Sequence, residues 1–312
     1  MRNILIIIAL LSVISCKPIK KTELVGVAQG SYYSITYFSN LSKEEKTLIS
    51  EGIDSIFNAV NKSVSLWDET SVICRVNAND STVVLDDIFI GNFRWAEKAW
   101  QLSGGAFDAT VAPLVETYGF LKKEKTDITQ GTIDSLLQFV GFEKIRIDGD
   151  KIIKDDPRVR LDFNAVAQGY TTDLISNFLL KKGIKNHLVD VGGEIMARGT
   201  KQGGTPWIVG IEKPAPDKNA ERTIQESMPL TDRAVVTSGN YRKYIEDGGR
   251  RLSHSINPRT GLPATHDLLS ATVIAPTATQ ADCLATICMI VGREKAAEML
   301  DTIPDVEYVF LP

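Results

Sequence analysis

Three polar side chains near the C-terminal end of the sequence are of types that bind a divalent cation or move a proton. Asp282 and Thr286 stand four residues apart in an apolar segment that predicts a helix beginning near Thr279. This spacing places a carboxylate and a hydroxyl on one helix face. Hard oxygen ligands of this kind suit Mg²⁺, especially a Mg²⁺ shared with phosphate. Histidine exchanges protons near neutral pH, which makes His254 a candidate general base.

A simpler interpretation fits the same three residues. An Asp and a Thr in the first turns of a helix often serve only to support its start. A single His is frequently an ordinary surface or core group. Both interpretations stay open on these residues alone.

The elements that must position these side chains begin with a polar turn at His254–Gly261, followed by an apolar strand pattern at Leu269–Ala275. Further upstream, Arg160–Phe163 reads as a strand, and a helix is predicted over Tyr170–Lys182 before a buried strand at His187–Val191. These three segments predict a βαβ unit whose small-residue turn exposes backbone groups to phosphate or metal.

Other segments carry recognisable local patterns. Two segments, Ser63–Asn79 and Pro214–Ser227, are polar, and the second is predicted to be a loop. The predicted elements are a strand pair or one long bent strand over Leu24–Phe38, a helix that Ser42 caps and whose apolar stripe includes Leu48, a helix over Asp87–Leu102, a short helix over Ile133–Val140, a hairpin closed at Asp148-Gly149-Asp150 and a strand over Trp207–Glu212.

Composition describes a soluble globular domain and argues against a nucleic-acid partner. The chain has 312 residues, 24% of them charged, with a net charge of -4, so there is no basic excess to attract phosphate backbones. No Cys and His spacing resembles a zinc site. Cys74, Cys283 and Cys288 are interpreted as small buried hydrophobic residues.

The N-terminus predicts a lipoprotein signal. Residues 1–16 combine a positive start, a short apolar stretch and a Cys at position 16, as in a bacterial lipoprotein box. Cys16 is then the acylated residue, residues 17–23 form a polar tether, and residues 24–312 form the folded domain. This places the protein in the bacterial cell envelope, anchored to a membrane and facing the periplasm or the exterior. The alternative is an ordinary secretory signal in which Cys16 is incidental.

Six short motifs occur in the order and spacing of one known family. They are Gly105–Thr110, Leu161–Tyr170, Val189–Glu194, Thr237–Gly239, His254–Gly261 and Ala281–Thr286. Over residues 29–291 the chain resembles the ApbE family of FAD:protein FMN transferases. The resemblance implies an α+β, T-fold-related sandwich of two subdomains with FAD held between them. It also implies a Mg²⁺-dependent transfer of FMN from FAD to a Thr or Ser hydroxyl of an acceptor protein, with release of AMP.

The resemblance assigns roles by motif position. His254 and Asp282 are the implied catalytic residues. Asp282, Thr286 and the backbone carbonyl of Ala165 are the implied Mg²⁺ ligands. The implied FAD contacts are Gln29, Trp67, Ala106, Phe107, Asp108, Asp162, Gln168 and Ile256. Core packing remains the alternative for Trp67 and Phe107.

Three other functions share this sequence evidence. With water in place of the acceptor hydroxyl, the same site is a Mg²⁺-dependent FAD pyrophosphatase that gives FMN and AMP. A non-catalytic flavin-binding lipoprotein would bind FAD without turnover, and the intact set of Asp282, Thr286 and His254 argues against it. A role in thiamine synthesis has no support in these residues. The expected acceptor is a redox protein with a flavinylation-type Thr or Ser motif, such as a subunit of an NADH:quinone reductase or Rnf-type complex.

Overall fold

A computed structural model describes residues 19–121, 128–214, 221, 223–241, 244–247 and 250–312, with the backbone alone for 244–247 and 250–252. The predicted signal segment, including Cys16, lies outside these residues. None of the helices in the described ranges has the length and apolar character that crossing a membrane requires.

Strands and helices alternate irregularly along the chain. The strands are β1 Lys20–Ala28, β2 Ser31–Ser39, β3 Ile145–Asp148, β4 Lys151–Lys154, β5 His187–Val191, β6 Glu194–Arg198, β7 Trp207–Glu212, β8 Ile224–Leu230, β9 Ala234–Gly239, β10 Tyr244–Asp247, β11 Arg250–Ser253, β12 Ser270–Ala275 and β13 Glu307–Leu311. The helices are α1 Lys43–Val64, α2 Val72–Asn77, α3 Asp87–Leu102, α4 Ala112–Thr117, α5 Gln130–Leu137, α6 Ala167–Lys181, α7 Ala278–Val291 and α8 Arg293–Leu300.

A seven-stranded antiparallel sheet organises the chain, in the order β1-β2-β5-β6-β9-β12-β13. Helices α6 and α7 cover one face, and the β7–β8 hairpin packs on the other against apolar residues of β6, β9 and β12. Every residue of β12 is buried, because both of its faces are covered. In β1, exposed and half-buried residues alternate, because only one face is covered.

The second layer of structure is a lobe formed by α2 to α5 and the β3–β4 hairpin. Its core is continuous with the core beneath α7, and rings of Phe89, Phe93, Phe142 and Phe163 pack within it. The sheet with its helices and this lobe form the two parts of the α+β architecture.

Helix α1 confirms the local prediction at its start. The Ser42 hydroxyl accepts a hydrogen bond from the Glu45 N–H at 3.2 Å, and the Glu45 carboxylate accepts one from the Ser42 N–H at 2.7 Å. The stripe predicted for this helix is buried at Ile49, Ile53 and Phe57, but its predicted member Leu48 is 62% exposed.

The predicted strand at Arg160–Phe163 is wrong, and the βαβ unit does not form. Only one isolated bridge, between Val111 and Arg160, involves this segment. Asn77 holds it instead, donating to the Leu161 carbonyl at 2.9 Å and accepting from the Leu161 N–H at 2.7 Å. An asparagine side chain can satisfy both backbone groups that a neighbouring strand would satisfy, so the segment stays extended without joining a sheet.

Several predicted boundaries also shift. The polar segment Ser63–Asn79 contains helix α2, and the predicted loop Pro214–Ser227 contains the start of β8. The helix predicted over Ile133–Val140 is α5, which begins and ends three residues earlier. The helix predicted from Tyr170 begins at Ala167, and β1 begins at Lys20, four residues before the predicted start of the strand pair at Leu24.

Candidate functional site

Helices α6 and α7 approach each other closely at Gly169. The Gly169 N–H donates to the buried Asp282 carboxylate at 3.1 Å. A Cβ atom at position 169 would lie 2.6 Å from the Ala278 carbonyl oxygen and 2.8 Å from the Asp282 Cβ. Only glycine fits this contact, so the absence of a side chain at 169 fixes the position of Asp282.

Asp173 holds the start of α7 and was missed by the sequence reasoning. Its carboxylate accepts hydrogen bonds from the N–H groups of Ala278 and Thr279, both at 2.9 Å, and from the Thr279 hydroxyl at 2.5 Å. Burial raises the pKa of Asp173, while these hydrogen bonds oppose the shift. The carboxylate also faces the positive end of the helix dipole. Its position four residues after Gly169 on one helix face was the available signal.

These contacts fix the register of the two helices. Asp173 lies level with Ala278 and Thr279, and Gly169 lies level with Asp282, so α6 and α7 run antiparallel. Ala165 lies in the turn two residues before α6 begins, and Thr286 lies about one turn, 6 Å, beyond Asp282 along α7. Because the two helices are antiparallel, the implied ligands Ala165 and Thr286 both lie on the same side of the contact between Gly169 and Asp282.

The same end of α6 contacts two tight turns of the sheet. The Gln29 amide, in the β1–β2 turn, donates to the Thr171 hydroxyl at 2.9 Å. The Gln29 Oε1 atom is buried and has no partner among the described residues. Gln168 lies over the β5–β6 turn, where a Cβ on Gly192 would come within 2.5 Å of its amide nitrogen. Both glutamines therefore lie near the start of α6, which the implied Mg²⁺ ligand Ala165 precedes.

Two buried carboxylates hold the segments that the resemblance assigns to FAD. Asp108 accepts hydrogen bonds from the Thr110 N–H and hydroxyl and from the Phe142 N–H, at 2.6 to 2.9 Å. The Asp162 carboxylate accepts from the Asn164 N–H at 2.7 Å, and its own N–H donates to the Ala109 carbonyl at 2.7 Å. Burial raises the pKa of Asp108 and raises that of Asp162 to about 6. Asp108 thus fixes the loop that carries Ala106 and Phe107.

The two implied aromatic contacts differ in exposure. Phe107 is 3% exposed and belongs to the main core, and its neighbour Ala106 is also buried. Trp67 is 68% exposed on the loop between α1 and α2. A large exposed ring is available for stacking, whereas the Phe107 ring is committed to packing.

The His254 loop docks on the lobe. The half-buried His254 ring approaches Phe120 edge-on, with ring centroids 6.4 Å apart. Ile256 is buried in a cluster with Leu114, Tyr118 and Val140. The Tyr118 hydroxyl donates to the Gly261 carbonyl at 3.0 Å, and the Arg259 guanidinium donates to the Gly104 carbonyl. Packing and hydrogen bonds therefore fix the loop on both sides of His254.

The sequence profile of the ApbE family matches residues 29–310. The chain belongs to the ApbE family. A relative from Vibrio cholerae, named FAD:protein FMN transferase, is 33% identical over 302 residues, which cover 95% of this chain and 89% of the relative. A relative of the same name from Escherichia coli K12 is 32% identical over 291 residues, which cover 89% and 81%.

Solved structures of ApbE proteins share the fold. The flavin transferase ApbE from Vibrio cholerae superposes with a TM-score of 0.83 and 29% identity, covering 94% of both chains. The flavinyl transferase ApbE from Pseudomonas stutzeri in its apo form superposes with a TM-score of 0.82 and 30% identity, covering 94% of this chain and 91% of the other. The predicted family, α+β fold and enzyme class are confirmed.

Within this ApbE fold, the candidate site residues form two groups. The helix side comprises Gln29, Ala165, Gln168, Asp282 and Thr286 around the start of α6. The loop side comprises Trp67, the loop from Ala106 to Asp108, and the segment from His254 to Ile256, while Asp162 joins the two groups because it contacts Ala109 and precedes Ala165.

The implied Mg²⁺ ligands include only one carboxylate, that of Asp282. No cluster of three or more His, Cys, Asp or Glu occurs in the part of the chain that the structure describes. One carboxylate, one hydroxyl and one carbonyl do not make such a cluster. They are hard oxygen donors and leave positions for phosphate oxygens, which is the manner in which Mg²⁺ is usually held.

Proposed function

We propose that the protein transfers FMN from FAD to a Thr or Ser hydroxyl of an acceptor protein, with Mg²⁺ required and AMP released. The observation that carries this proposal is the close α6–α7 contact at Gly169 and Asp282, which joins two of the motifs that the chain shares with the ApbE family. Relatives that share most of its length are named FAD:protein FMN transferase, which supports the flavin donor and the protein acceptor.

The helix side holds the diphosphate end of the donor. Asp282, Thr286 and the Ala165 carbonyl would hold Mg²⁺, which, when bound, neutralises charge on the pyrophosphate. The buried Gln29 Oε1 atom, which lacks a protein partner, would accept a hydrogen bond from the donor molecule. The open face of Trp67 would stack on one of its rings.

In the transfer step, the acceptor hydroxyl oxygen forms a bond to the phosphorus of the FMN part. The bond between that phosphorus and the AMP oxygen breaks, and AMP leaves. His254 takes the hydroxyl proton as this oxygen attacks. Its loop is fixed on the lobe by Ile256 and Tyr118, so the imidazole is positioned before the acceptor arrives.

Hydrolysis of FAD by the same site is the second candidate function. It requires only that water takes the place of the acceptor hydroxyl, so the two functions share every residue named above. The acceptor decides between them.

The cellular setting follows from the N-terminus. Acylation of Cys16 would leave a short linker before β1 begins at Lys20, which holds the site close to a membrane of the bacterial envelope. The acceptor is then a membrane or periplasmic redox protein, such as a subunit of an NADH:quinone reductase or Rnf-type complex. Cys16→Ser should release the protein from membranes, and its retention in the membrane fraction would contradict lipidation.

The decisive experiment follows covalent flavin. The full chain, in detergent, is incubated with FAD, Mg²⁺ and a candidate acceptor domain, and flavin fluorescence is read in a denaturing gel while AMP and FMN are measured. Transfer predicts fluorescence on the acceptor with AMP and little free FMN. AMP with equal free FMN and no labelling across a panel of acceptor domains would instead establish hydrolysis.

His254→Gln tests the proposed base. Gln cannot take up a proton, so the transfer rate should fall by roughly 10²- to 10⁴-fold. FAD affinity, measured by fluorescence titration, should stay the same. An equal loss of both would make His254 a binding residue instead.

A further inference from the structure

A groove with a volume of about 1010 Å³ lies beside the sheet and is distinct from the two groups of site residues. We call it the β12 groove. Its lining includes Asn240, Tyr241, Thr265, His266, Leu269 and Leu311. This lining combines amide, hydroxyl and imidazole groups with apolar side chains.

The β12 groove opens at the same end of the sheet as the candidate site. Val191 pairs with Glu194 across the β5–β6 turn, and β6 pairs with β9 so that the later residues of β9 continue toward this end. Gly239, the last residue of β9, pairs with Ser270, which pairs with Leu311. β6 and β12 are two strand positions apart, which is about 10 Å at about 4.8 Å per strand spacing. An extended peptide of about three residues spans that distance.

The loop that carries His254 also forms a wall of this groove. Ser253 precedes His254 and lines the groove, and Ala264 and Thr265 line it from the returning limb of the loop. The Ala264 N–H donates to the Ser255 carbonyl at 2.9 Å, which ties the two limbs together. An occupant of the groove would therefore lie next to the chain segment that contains His254, the proposed base.

The chemistry of the lining favours a polypeptide over a phosphate compound. Among the described residues that line the groove, Lys213 is the one Lys, Arg, Asp or Glu. The His266 Nε2 atom donates to the Met289 carbonyl at 2.9 Å, so Nδ1 of the neutral ring is an acceptor. Nδ1 is buried and has no partner in the described part of the chain. A phosphate compound would meet a single Lys among the described lining residues, whereas the amide, hydroxyl and apolar groups of this lining suit a polypeptide backbone and its side chains.

We propose that the β12 groove binds the acceptor protein, as an extended segment that delivers its Thr or Ser hydroxyl to His254. This inference rests on the proposed transferase function and adds the place where its second substrate docks. A segment of this kind makes main-chain hydrogen bonds with polar groups and fits apolar side chains into the same groove. FAD contacts stay outside it, so binding of the two substrates is separable.

The test places a bulky charge in the β12 groove. Thr265 is exposed in the groove, and Thr265→Arg should raise the KM for the acceptor domain labelled in the fluorescence assay about tenfold or more. The FAD dissociation constant and the slow AMP release without acceptor should not change. Thr205→Arg is the matched control, because this exposed Thr follows the far end of β6, at the opposite end of the sheet.

Two outcomes would overturn the inference. One is an unchanged acceptor KM in Thr265→Arg, and the other is an equal rise in both variants. A second measurement uses a photo-crosslinking residue at position 265, which should capture the acceptor segment containing the modified Thr or Ser, while the same residue at 205 should not. Absence of labelling by the unaltered enzyme with every acceptor would refute the proposed function itself, a result distinct from failure of the groove variants.

Discussion

The helix side and the loop side of the site are built in different ways. On the helix side, Asp282 is buried, Asp173 is half-buried, and both carboxylates accept hydrogen bonds from backbone N–H groups of the helices. On the loop side, Trp67 is mostly exposed and His254 is half-buried. The first side is part of the hydrophobic core, and the second lies on its surface.

This difference separates two kinds of residue. A carboxylate that hydrogen-bonds two packed helices affects both stability and activity, because a small displacement of one side chain in a close-packed interior moves its neighbours. An exposed ring or a loop imidazole can be replaced with little change in the free energy of unfolding. Variants on the helix side should therefore change stability and activity together unless they preserve shape, whereas variants on the loop side should change activity alone.

The largest effect is expected from a shape-preserving change at Asp282. Asp282→Asn keeps an oxygen that accepts the Gly169 hydrogen bond but removes the charge that a cation requires. Loss of the metal contribution, several kcal/mol, should slow transfer by about 10²-fold or more. The melting temperature should change little. Asp173→Asn is the matched control, since it also neutralises a carboxylate that accepts backbone hydrogen bonds between these two helices.

Equal losses of transfer in Asp282→Asn and Asp173→Asn, with unchanged Mg²⁺ dependence in both, would remove Asp282 from the proposed metal site. The measurement that separates them is the transfer rate as a function of Mg²⁺ concentration. Only Asp282→Asn should raise the Mg²⁺ concentration required.

His187, the buried first residue of β5, contacts Ser176 of α6, and its titration should destabilise the helix side in acid. The ring of His187 is fully buried, with Nε2 2.9 Å from the Ser176 hydroxyl and Nδ1 3.0 Å from the Ile184 carbonyl. Burial lowers the pKa of His187 from 6.5 to about 4. The unfolded chain therefore binds the proton more readily, and stability falls as the pH drops from about 6.5 toward 4.

The expected loss across that window is about 3 kcal/mol, and no loss from this group occurs above pH 6.5. Urea unfolding at a series of pH values measures it. His187→Gln cannot titrate, so its stability should fall less steeply over the same window. Identical pH profiles for the two proteins would contradict this assignment.

Gly169 tests the closeness of the two helices. In Gly169→Ala, the added Cβ would meet the Ala278 carbonyl and the Asp282 Cβ at less than 3.0 Å, so α6 and α7 must separate. Overpacking of this kind costs about 1–3 kcal/mol, and displaced Asp282 should slow transfer. Thermal unfolding and the fluorescence assay measure the two effects.

The same substitution at Gly131 is the control. An added Cβ there meets only the Thr129 hydroxyl, at 3.8 Å, and Gly131 lies within α5. Because Ala has the higher helix propensity, Gly131→Ala should stabilise the protein by up to about 1 kcal/mol. If both variants stabilised it, the close approach at Gly169 would be refuted.

Local signals explain what the sequence predicted correctly. The capping pair Ser42 and Glu45 marks the start of α1, and α3 spans Asp87–Leu102 as predicted because Asp86 caps it and Ser103 ends it. Such caps are encoded by neighbours in the chain. The motifs at the start of α6 and within α7 follow the order of a known family, and the hydrogen bond from Gly169 to Asp282 joins them, while the roles of their residues stay predictions.

Tertiary contacts explain what the sequence did not predict. The segment at Arg160–Phe163 has a strand pattern, but Asn77 satisfies its backbone from a helix 84 residues away. The start of α7 was placed near Thr279, whereas Thr277 is the cap and the Thr279 hydroxyl is bonded to Asp173. No local pattern shows which hydroxyl will find a partner on another helix.

Trp67 gives the smallest and most separable effect, on the loop side. Since its ring is 68% exposed, Trp67→Ala should leave the melting temperature unchanged within error. Loss of stacking, about 1–1.5 kcal/mol, should weaken FAD binding roughly tenfold. Trp67→Phe should recover most of that affinity, and Leu48→Ala, another exposed apolar truncation, should not alter it. Destabilisation by Trp67→Ala with normal FAD affinity would assign the ring to packing, and the division into a buried helix side and an open loop side would then fail at this residue.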